Sequence, residues 1–174
     1  MGLVKRIGNE ITFVRAALRS LGKLKAIRED TSHTFSDTIE KLAAEKPNNI
    51  AIYFEDRALT YREYNEEANR YARWVKDQGL GRGDVVALMM ENRPEYLIAW
   101  LGIVKAGATA ALINTNLTKG PLAHCLNISN ANHIVLGAEL AENYSTAADQ
   151  LERPMTVWVT GGQVQGANDL DPVL

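Results

Sequence analysis

Four short apolar runs follow one another along the second half of the chain, and a helix-forming segment separates each run from the next. The runs occupy residues 85–90, 109–113, 133–136 and 156–160. The first has six consecutive apolar residues after Asp84, without polar alternation, which is typical of a strand covered on both faces. The run at 109–113 is expected to be covered in the same way. Strands joined by helical crossovers lie parallel, with helices on both sides of the sheet. The sequence therefore predicts an α/β fold with a partial, mostly parallel sheet.

Smaller elements precede this series. A short helix is expected to begin at Thr34, and two apolar runs that flank residues 55–57 predict a small N-terminal β-hairpin. Thr60 and Glu63 have the spacing of a capping box, so a second helix is expected to begin there and to end at Gly79.

Two more helices are expected after the second and third strands, over about residues 118–129 and 139–151. The tail after Thr160 is rich in glycine and polar residues, which indicates a loop. Its segment TGGQVQG lacks the glycine spacing of a dinucleotide-binding turn, and the chain contains no P-loop motif.

The first 30 residues differ in charge from the rest of the chain. They carry seven basic and three acidic residues, a formal charge of +4, whereas the whole chain carries −2. Apolar residues recur there with helical spacing, at Val4, Ile7, Ile11, Val14, Leu18 and Leu21. We interpret residues 1–30 as a basic amphipathic leader helix. It could lie on a membrane surface or pack against protein; amphipathicity alone does not separate the two, and packing against protein is the preferred interpretation.

Composition excludes several classes of function. The negative net charge argues against nucleic acid as a partner, and a single cysteine excludes an intramolecular disulfide. His33, His124 and His133 are too far apart in sequence to suggest a metal site. Cys125 lies in the middle of a predicted helix, and its neighbour His124 points to a different side of that helix, so a structural role is favoured over a catalytic thiol.

Turns at residues 91–93, 114–116, 137–138 and 161–162 follow the predicted strands, at the edge where parallel sheets bind ligands. Asn114 and Asn116 follow the second strand and are the candidate substrate-binding residues, as walls of such a crevice. Asparagine also ends strands by bonding its own backbone, so a purely structural role remains open.

The order of segments resembles the opening of the adenylate-forming (AMP-binding) superfamily, which includes acyl-CoA synthetases, luciferases and peptide-synthetase adenylation domains. The similarity covers roughly residues 34–160 and is carried by residues 59–61 (LTY), the run GLGRGDVVAL, residues 92–95 (NRPE) and residues 105–108 (KAGA). The stretch NTNLTKGPLAHCLNIS is similar to the branch of fatty-acid transport proteins and very-long-chain fatty acyl-CoA synthetases.

The resemblance implies a fatty acid–CoA ligase that uses ATP and Mg²⁺ to form an acyl-adenylate and then transfers the acyl group to coenzyme A. The family's phosphate loop and later catalytic motifs are absent from these 174 residues. We therefore expect a leader at 1–30 and an incomplete N-terminal α/β domain at 31–174. The fragment should lack catalytic residues and tight binding of nucleotide, metal or coenzyme A, should be inactive alone, and should self-associate through uncovered surfaces. Branch members work at membranes, so the resemblance implies a cytoplasmic protein with optional peripheral contact at the inner face of the membrane.

Two other interpretations remain open. The chain could be a stand-alone module that binds a membrane or a partner with a ligase-like fold. It could also belong to an adenylate-forming enzyme for an aryl or amino acid, against which the NTNL and PLAHCL segments argue.

Overall fold

A computed structural model of the protein describes residues 32–174 and, before them, Arg15, Leu18 and Ser20, which are helical and exposed. The remainder of the predicted leader over residues 1–30 lies outside the described residues. The chain divides into two compact units, Met1–Thr34 and Phe35–Leu174, of which the second contains the predicted α/β domain.

Helices and strands alternate throughout the second unit. In chain order its main elements are α1 (Phe35–Glu45), β1 (Ile50–Phe54), β2 (Arg57–Thr60), α2 (Tyr61–Asp77), β3 (Val85–Met89), α3 (Pro94–Lys105), β4 (Thr109–Leu112), α4 (Lys119–Ser129), β5 (His133–Gly137), α5 (Ala141–Ala148), β6 (Thr156–Thr160) and β7 (Asn168–Asp169). Short 3₁₀ helices at Ala138–Leu140 and Asp171–Val173 follow β5 and β7.

The main sheet has five strands in the order β4-β3-β5-β6-β7, and every pair of neighbours is parallel. Val86 of β3 sits opposite Ala110 of β4 and His133 of β5. β1 and β2 form a separate antiparallel hairpin, whose turn holds Glu55 at a φ of 50°. The predicted α/β class, parallel sheet and small N-terminal hairpin are confirmed.

Successive side chains of β3 enter two different cores, because side chains alternate across a strand. Val86 and Leu88 pack with α2 and α3 on one face, whereas Ala87 and Met89 pack with α4 and α5 on the other. All four are fully buried. This accounts for the unbroken apolar run and confirms that helices cover both faces of the sheet.

Helix α2 begins with the predicted capping box. The Glu63 N–H donates to the Thr60 hydroxyl, and the Thr60 N–H donates to the Glu63 carboxylate at 2.8 Å. Gly79, just beyond the helix end, has a φ of 73°, which glycine adopts without steric cost.

Three sequence expectations need correction. The run at 109–113 is not a covered strand: β4 lies at the sheet edge and 53% of the surface of Leu112 is exposed. The tail after Thr160 is not only loop, because it contains β7 and the fully buried Leu170. The helix expected at 139–151 is a 3₁₀ turn followed by the shorter α5.

Candidate functional site at the carboxyl ends of the strands

Charged and polar side chains meet where the parallel strands end. Arg93 follows β3, Glu139 follows β5, Thr160 ends β6 and Asp171 follows β7. Neighbouring parallel strands deliver their carboxyl ends to one edge of the sheet, so residues that are distant in sequence become neighbours. We call these four residues the strand-end cluster.

Arg93 is the centre of the strand-end cluster, and its side chain is only 24% exposed. Its Nη1 lies 3.4 Å from a carboxylate oxygen of Glu139, and its Nη2 donates to the Thr160 carbonyl at 3.5 Å. Its Nε lies 3.8 Å from Glu95 and is buried without a hydrogen bond. A guanidinium has five N–H donors. Arg93 is therefore held by charge but underused as a hydrogen-bond donor.

Glycines at the strand ends make room for these charged groups. A Cβ on Gly137, the last residue of β5, would clash with the carboxylate of Glu139. A Cβ on Gly161 would lie 3.0 Å from a terminal nitrogen of Arg93, and Gly161 also has a φ of 79°. The ion pair thus depends on two positions that have no side chain.

Asp171 links the segment after β7 to the end of β6 through hydrogen bonds. Its carboxylate accepts hydrogen bonds from the Thr160 hydroxyl and, at 2.9 Å, from the Gly161 N–H. Tyr71 of α2 lies beneath this pair. Burial raises the pKa of Tyr71 to about 12, and its hydrogen bond with the Thr160 side chain offsets part of that rise. Tyr71 therefore remains protonated at neutral pH.

The hairpin is tied to the same edge by an ion pair. Arg57 of β2 donates to Glu95 in the first turn of α3 at 2.8 Å. Burial raises the pKa of Glu95, but the Arg57 hydrogen bond and the positive charges of Arg57 and Arg93 lower it by more, so the net pKa is below the usual value. Glu95 is therefore ionised at neutral pH.

Two open cavities flank Arg93. A polar cavity of about 410 Å³ is lined by Phe54, Arg57, Arg93, Glu95, Thr160, Gly161 and Asp171. An apolar groove of about 310 Å³ lies between β1 and the start of α3 and is lined by residues 52–54, residues 92–94, Tyr96 and Leu97. Arg93 is shared by both, so the cluster presents a guanidinium beside an apolar surface.

The predicted site residues Asn114 and Asn116 lie after β4 and are exposed. The side chain of Asn114 accepts a hydrogen bond from the Asn116 N–H at 2.9 Å, and Asn143 donates to the Thr115 carbonyl between them at 2.9 Å. These bonds are those of a structural turn. A role in substrate binding stays a prediction.

The sequence interpretation missed the strand-end cluster. Arg93 lies in a turn that sequence analysis places after a strand, which is the signal that could have identified it. Asp171 gave no such signal, because β7 has only two residues and lies in a segment expected to be loop.

The two carboxylates of the cluster and the nearby Glu95 do not form a magnesium site. Glu95 is engaged by Arg57, Glu139 by Arg93 and the Glu91 N–H, and Asp171 by Thr160 and Gly161. Among the described residues, no three His, Cys, Asp or Glu side chains are grouped so that they could hold a metal ion.

Within the same residues, no helix combines the length and apolar character needed to cross a bilayer.

Known proteins are similar to this chain in sequence and in fold. The family described as AMP-binding enzyme matches residues 39–171. Long-chain fatty acid transport protein 1 of Bos taurus is 33% identical over 149 residues, which are 82% of this chain and 23% of the relative. A medium/long-chain fatty-acid–CoA ligase of Mycobacterium tuberculosis is 33% identical over 127 residues, which are 73% of this chain and 21% of the relative.

The fold is also found among solved structures. The anthranilate CoA ligase AuaEII in complex with anthranoyl-AMP superposes with a TM-score of 0.74 at 25% identity, over 81% of this chain and 27% of that one. This chain covers only the N-terminal part of its relatives. The family match and these relatives confirm the resemblance predicted from the sequence. The match over 39–171 is most of the sequence, and the chain therefore belongs to the AMP-binding enzyme family.

Proposed function

We propose that this chain forms the N-terminal part of a long- or very-long-chain fatty acid–CoA ligase. The complete enzyme joins a fatty carboxylate to ATP, with Mg²⁺, to give an acyl-adenylate, and then forms a thioester with coenzyme A. In this proposal residues 32–174 supply one wall of the ligand crevice and none of the reacting groups, and the 174-residue chain is inactive alone.

One observation carries this proposal. The chain matches the N-terminal part of fatty-acid-related proteins at 33% identity while spanning 23% of one and 21% of the other. The strand-end cluster agrees with it, because its two carboxylates and its threonine hydroxyl are engaged in an ion pair and hydrogen bonds within the chain rather than free for covalent or acid–base chemistry.

The names of the relatives, and not the fold, favour a fatty acid over an aryl or amino acid as the substrate. Both relatives described above are named for fatty acids, whereas the structural neighbour at 25% identity is named for anthranilate. The shared sheet therefore supports adenylate formation in general, and the names of these two relatives support the choice of acyl substrate.

A chimaera tests the proposal. Residues 39–171 replace the matching segment of the Mycobacterium tuberculosis ligase, and pyrophosphate release is followed with ATP, Mg²⁺ and a long-chain fatty acid. We expect fatty-acid-dependent release, and none from a control ligase that lacks the segment. A chimaera that folds cooperatively and binds ATP but releases no pyrophosphate contradicts the proposal.

We also propose that residues 1–30 make peripheral contact with the inner face of the membrane. Their formal charge of +4 complements anionic lipid. Liposome co-sedimentation of the chain with and without these residues checks this. Equal sedimentation of both forms contradicts it and leaves packing against protein as the role of the leader.

Self-association is the corresponding proposal for the exposed sheet edge. β4 has no neighbour on its outer side among the described strands, and Leu112 is exposed there. Light scattering is expected to show a dimer or larger species that Leu112→Lys weakens. A wild-type chain that stays monomeric at high concentration contradicts this and favours the alternative of a stand-alone binding module.

A further inference from the structure

The apolar groove and the guanidinium of Arg93 together present two complementary surfaces to solvent. Tyr53 in the groove wall is 79% exposed and Leu97 is 38% exposed. Tyr96 and residues 52–54 complete this surface. Exposed aromatic and aliphatic groups that converge on one concave site are typical of a ligand pocket.

The underused donors of Arg93 select a ligand with an acceptor oxygen. The nearest acceptors to its terminal nitrogens lie at 3.4 and 3.5 Å, longer than usual hydrogen bonds of 2.7–3.2 Å. About a quarter of the side chain is exposed, so a ligand in the groove can reach it. Donors that are partly desolvated and poorly paired gain more from a new acceptor than donors in water.

The charge around Arg93 decides between an anionic and an uncharged ligand. Two arginines, Arg57 and Arg93, lie beside three carboxylates, Glu95, Glu139 and Asp171, which gives the set a formal charge of −1. An incoming carboxylate competes with Glu139 for Arg93, and the net negative charge of this set repels it. A neutral carbonyl accepts the same hydrogen bond without that repulsion.

We propose that the groove between β1 and α3 binds an uncharged acyl ester or thioester. The alkyl chain lies on Tyr53, Tyr96 and Leu97, and the carbonyl oxygen accepts a hydrogen bond from Arg93. A water-sized group takes roughly 30 Å³, so the 310 Å³ groove holds about ten such groups, which are the eight carbons and two oxygens of an octanoyl ester. A longer chain extends into solvent. The choice of an acyl ligand rests on the proposed function, whereas the site rests on the groove and Arg93.

The experiment titrates the ¹⁵N-labelled full chain with methyl octanoate and follows backbone amide shifts by NMR. Saturable shifts are expected at residues 52–54 and in the first turn of α3. Octanoate at pH 7.5 is expected to bind about tenfold more weakly because of its charge. No saturable binding, or octanoate binding as tightly as the ester, overturns the proposal.

Variants locate the contacts. Arg93→Gln is expected to lower ester affinity about tenfold, the effect of one hydrogen bond to a charged group. Arg82→Gln, at an exposed arginine outside the groove, is the matched control and should leave it unchanged. Tyr53→Ser, at a side chain too exposed to support the fold, should weaken ester and octanoate equally.

If Arg93→Gln changes the affinity for the ester by less than about twofold, the ester only adsorbs to the apolar surface. That result overturns the assigned contact between the carbonyl and Arg93. If Arg93→Gln does not fold, Tyr53→Ser still decides, because unchanged affinity in that variant removes the groove as the site. The ester has no free carboxylate to adenylate, so its binding does not depend on ligase activity. Failure here and failure of the chimaera are therefore separate results.

Discussion

The pair of helices α2 and α3 and the strand-end cluster lie in the same unit but are built differently. Tyr71, Trp74 and Leu101 on these helices are buried, and the two backbones approach closely at Gly102. At the strand ends, Arg93 has a buried Nε without a hydrogen bond, and two cavities remain open. The first region is closely packed, and its one buried donor without a hydrogen bond among the described residues is the neutral indole N–H of Trp74. The second region has a charged donor without a hydrogen bond and uncovered apolar surface. Stability should therefore depend on the helices and binding on the strand ends.

The largest expected effect is that of Gly102→Ala. The new methyl group would clash with the Tyr71 Cβ and lie 2.7 Å from the Ala68 carbonyl, and neither can move without shifting α2. We expect a loss of about 3 kcal/mol in the free energy of unfolding, measured by urea denaturation. Gly81→Ala is the control, because its nearest neighbour would be the Ala106 carbonyl at 3.8 Å. Equal losses in both variants contradict the close packing of the helices.

Lys105→Met should have the next largest effect. The side chain of Lys105 is only 6% exposed, and its ammonium donates to Asn65 at 2.6 Å and pairs with Glu40 at 2.7 Å, which joins three helices. Methionine keeps the aliphatic packing but removes these bonds, so we expect a loss of about 2 kcal/mol. Lys41→Met removes an exposed pair with Glu45 and should cost about 0.4 kcal/mol in the same assay.

Arg93→Gln tests whether the strand-end cluster contributes less to stability than the packed helices do. Its contacts are long, and its partners Glu95 and Glu139 are 29% and 32% exposed, so they remain partly solvated when the charge is removed. We expect a stability change below about 1 kcal/mol, smaller than for Lys105→Met. A loss as large as that of Lys105→Met would show that the cluster is a structural element rather than a binding surface.

The smallest expected effect concerns pH. The indole N–H of Trp158 donates to Nδ1 of His133 at 3.3 Å. Burial lowers the pKa of His133, and the charge of Asp84 offsets part of this shift. The unfolded chain, with a histidine pKa near 6.5, then takes up the proton before the folded chain does. The stability that neutral His133 contributes to the folded chain is therefore fully present above about pH 6.5, and it declines as pH falls below that value.

Urea midpoints at pH 7.5 and 5.5 check this contribution. His133→Gln should show a smaller fall between the two values than the wild type, since the ionisable group has been removed. An identical fall in both proteins assigns the pH dependence to other groups.

Much of the fold could be predicted from the sequence because its signals are local. The unbroken apolar run of β3 and the capping box at Thr60 each indicate a structure that the neighbouring residues alone favour. β7 could not be predicted, because two residues have no period and this strand depends on Leu170 packing below the sheet. The edge position of β4 is likewise set by strand order, which local patterns do not encode.

The candidate site was harder to predict for the same reason. Asn114 and Asn116 belong to one short segment and could be noticed together. Arg93, Glu139 and Asp171 come from three different strand ends and meet only after the sheet has formed. Sequence rules indicate the edge where ligands bind, but strand order determines which side chains share it.

The most direct test of the central proposal is a calorimetric titration of the 174-residue chain with ATP and Mg²⁺, followed by a pyrophosphate-release assay with a long-chain fatty acid and coenzyme A. We predict no measurable heat of binding at micromolar ATP and no release above the rate without protein. Micromolar affinity for ATP, or fatty-acid-dependent turnover by this chain alone, would contradict the account.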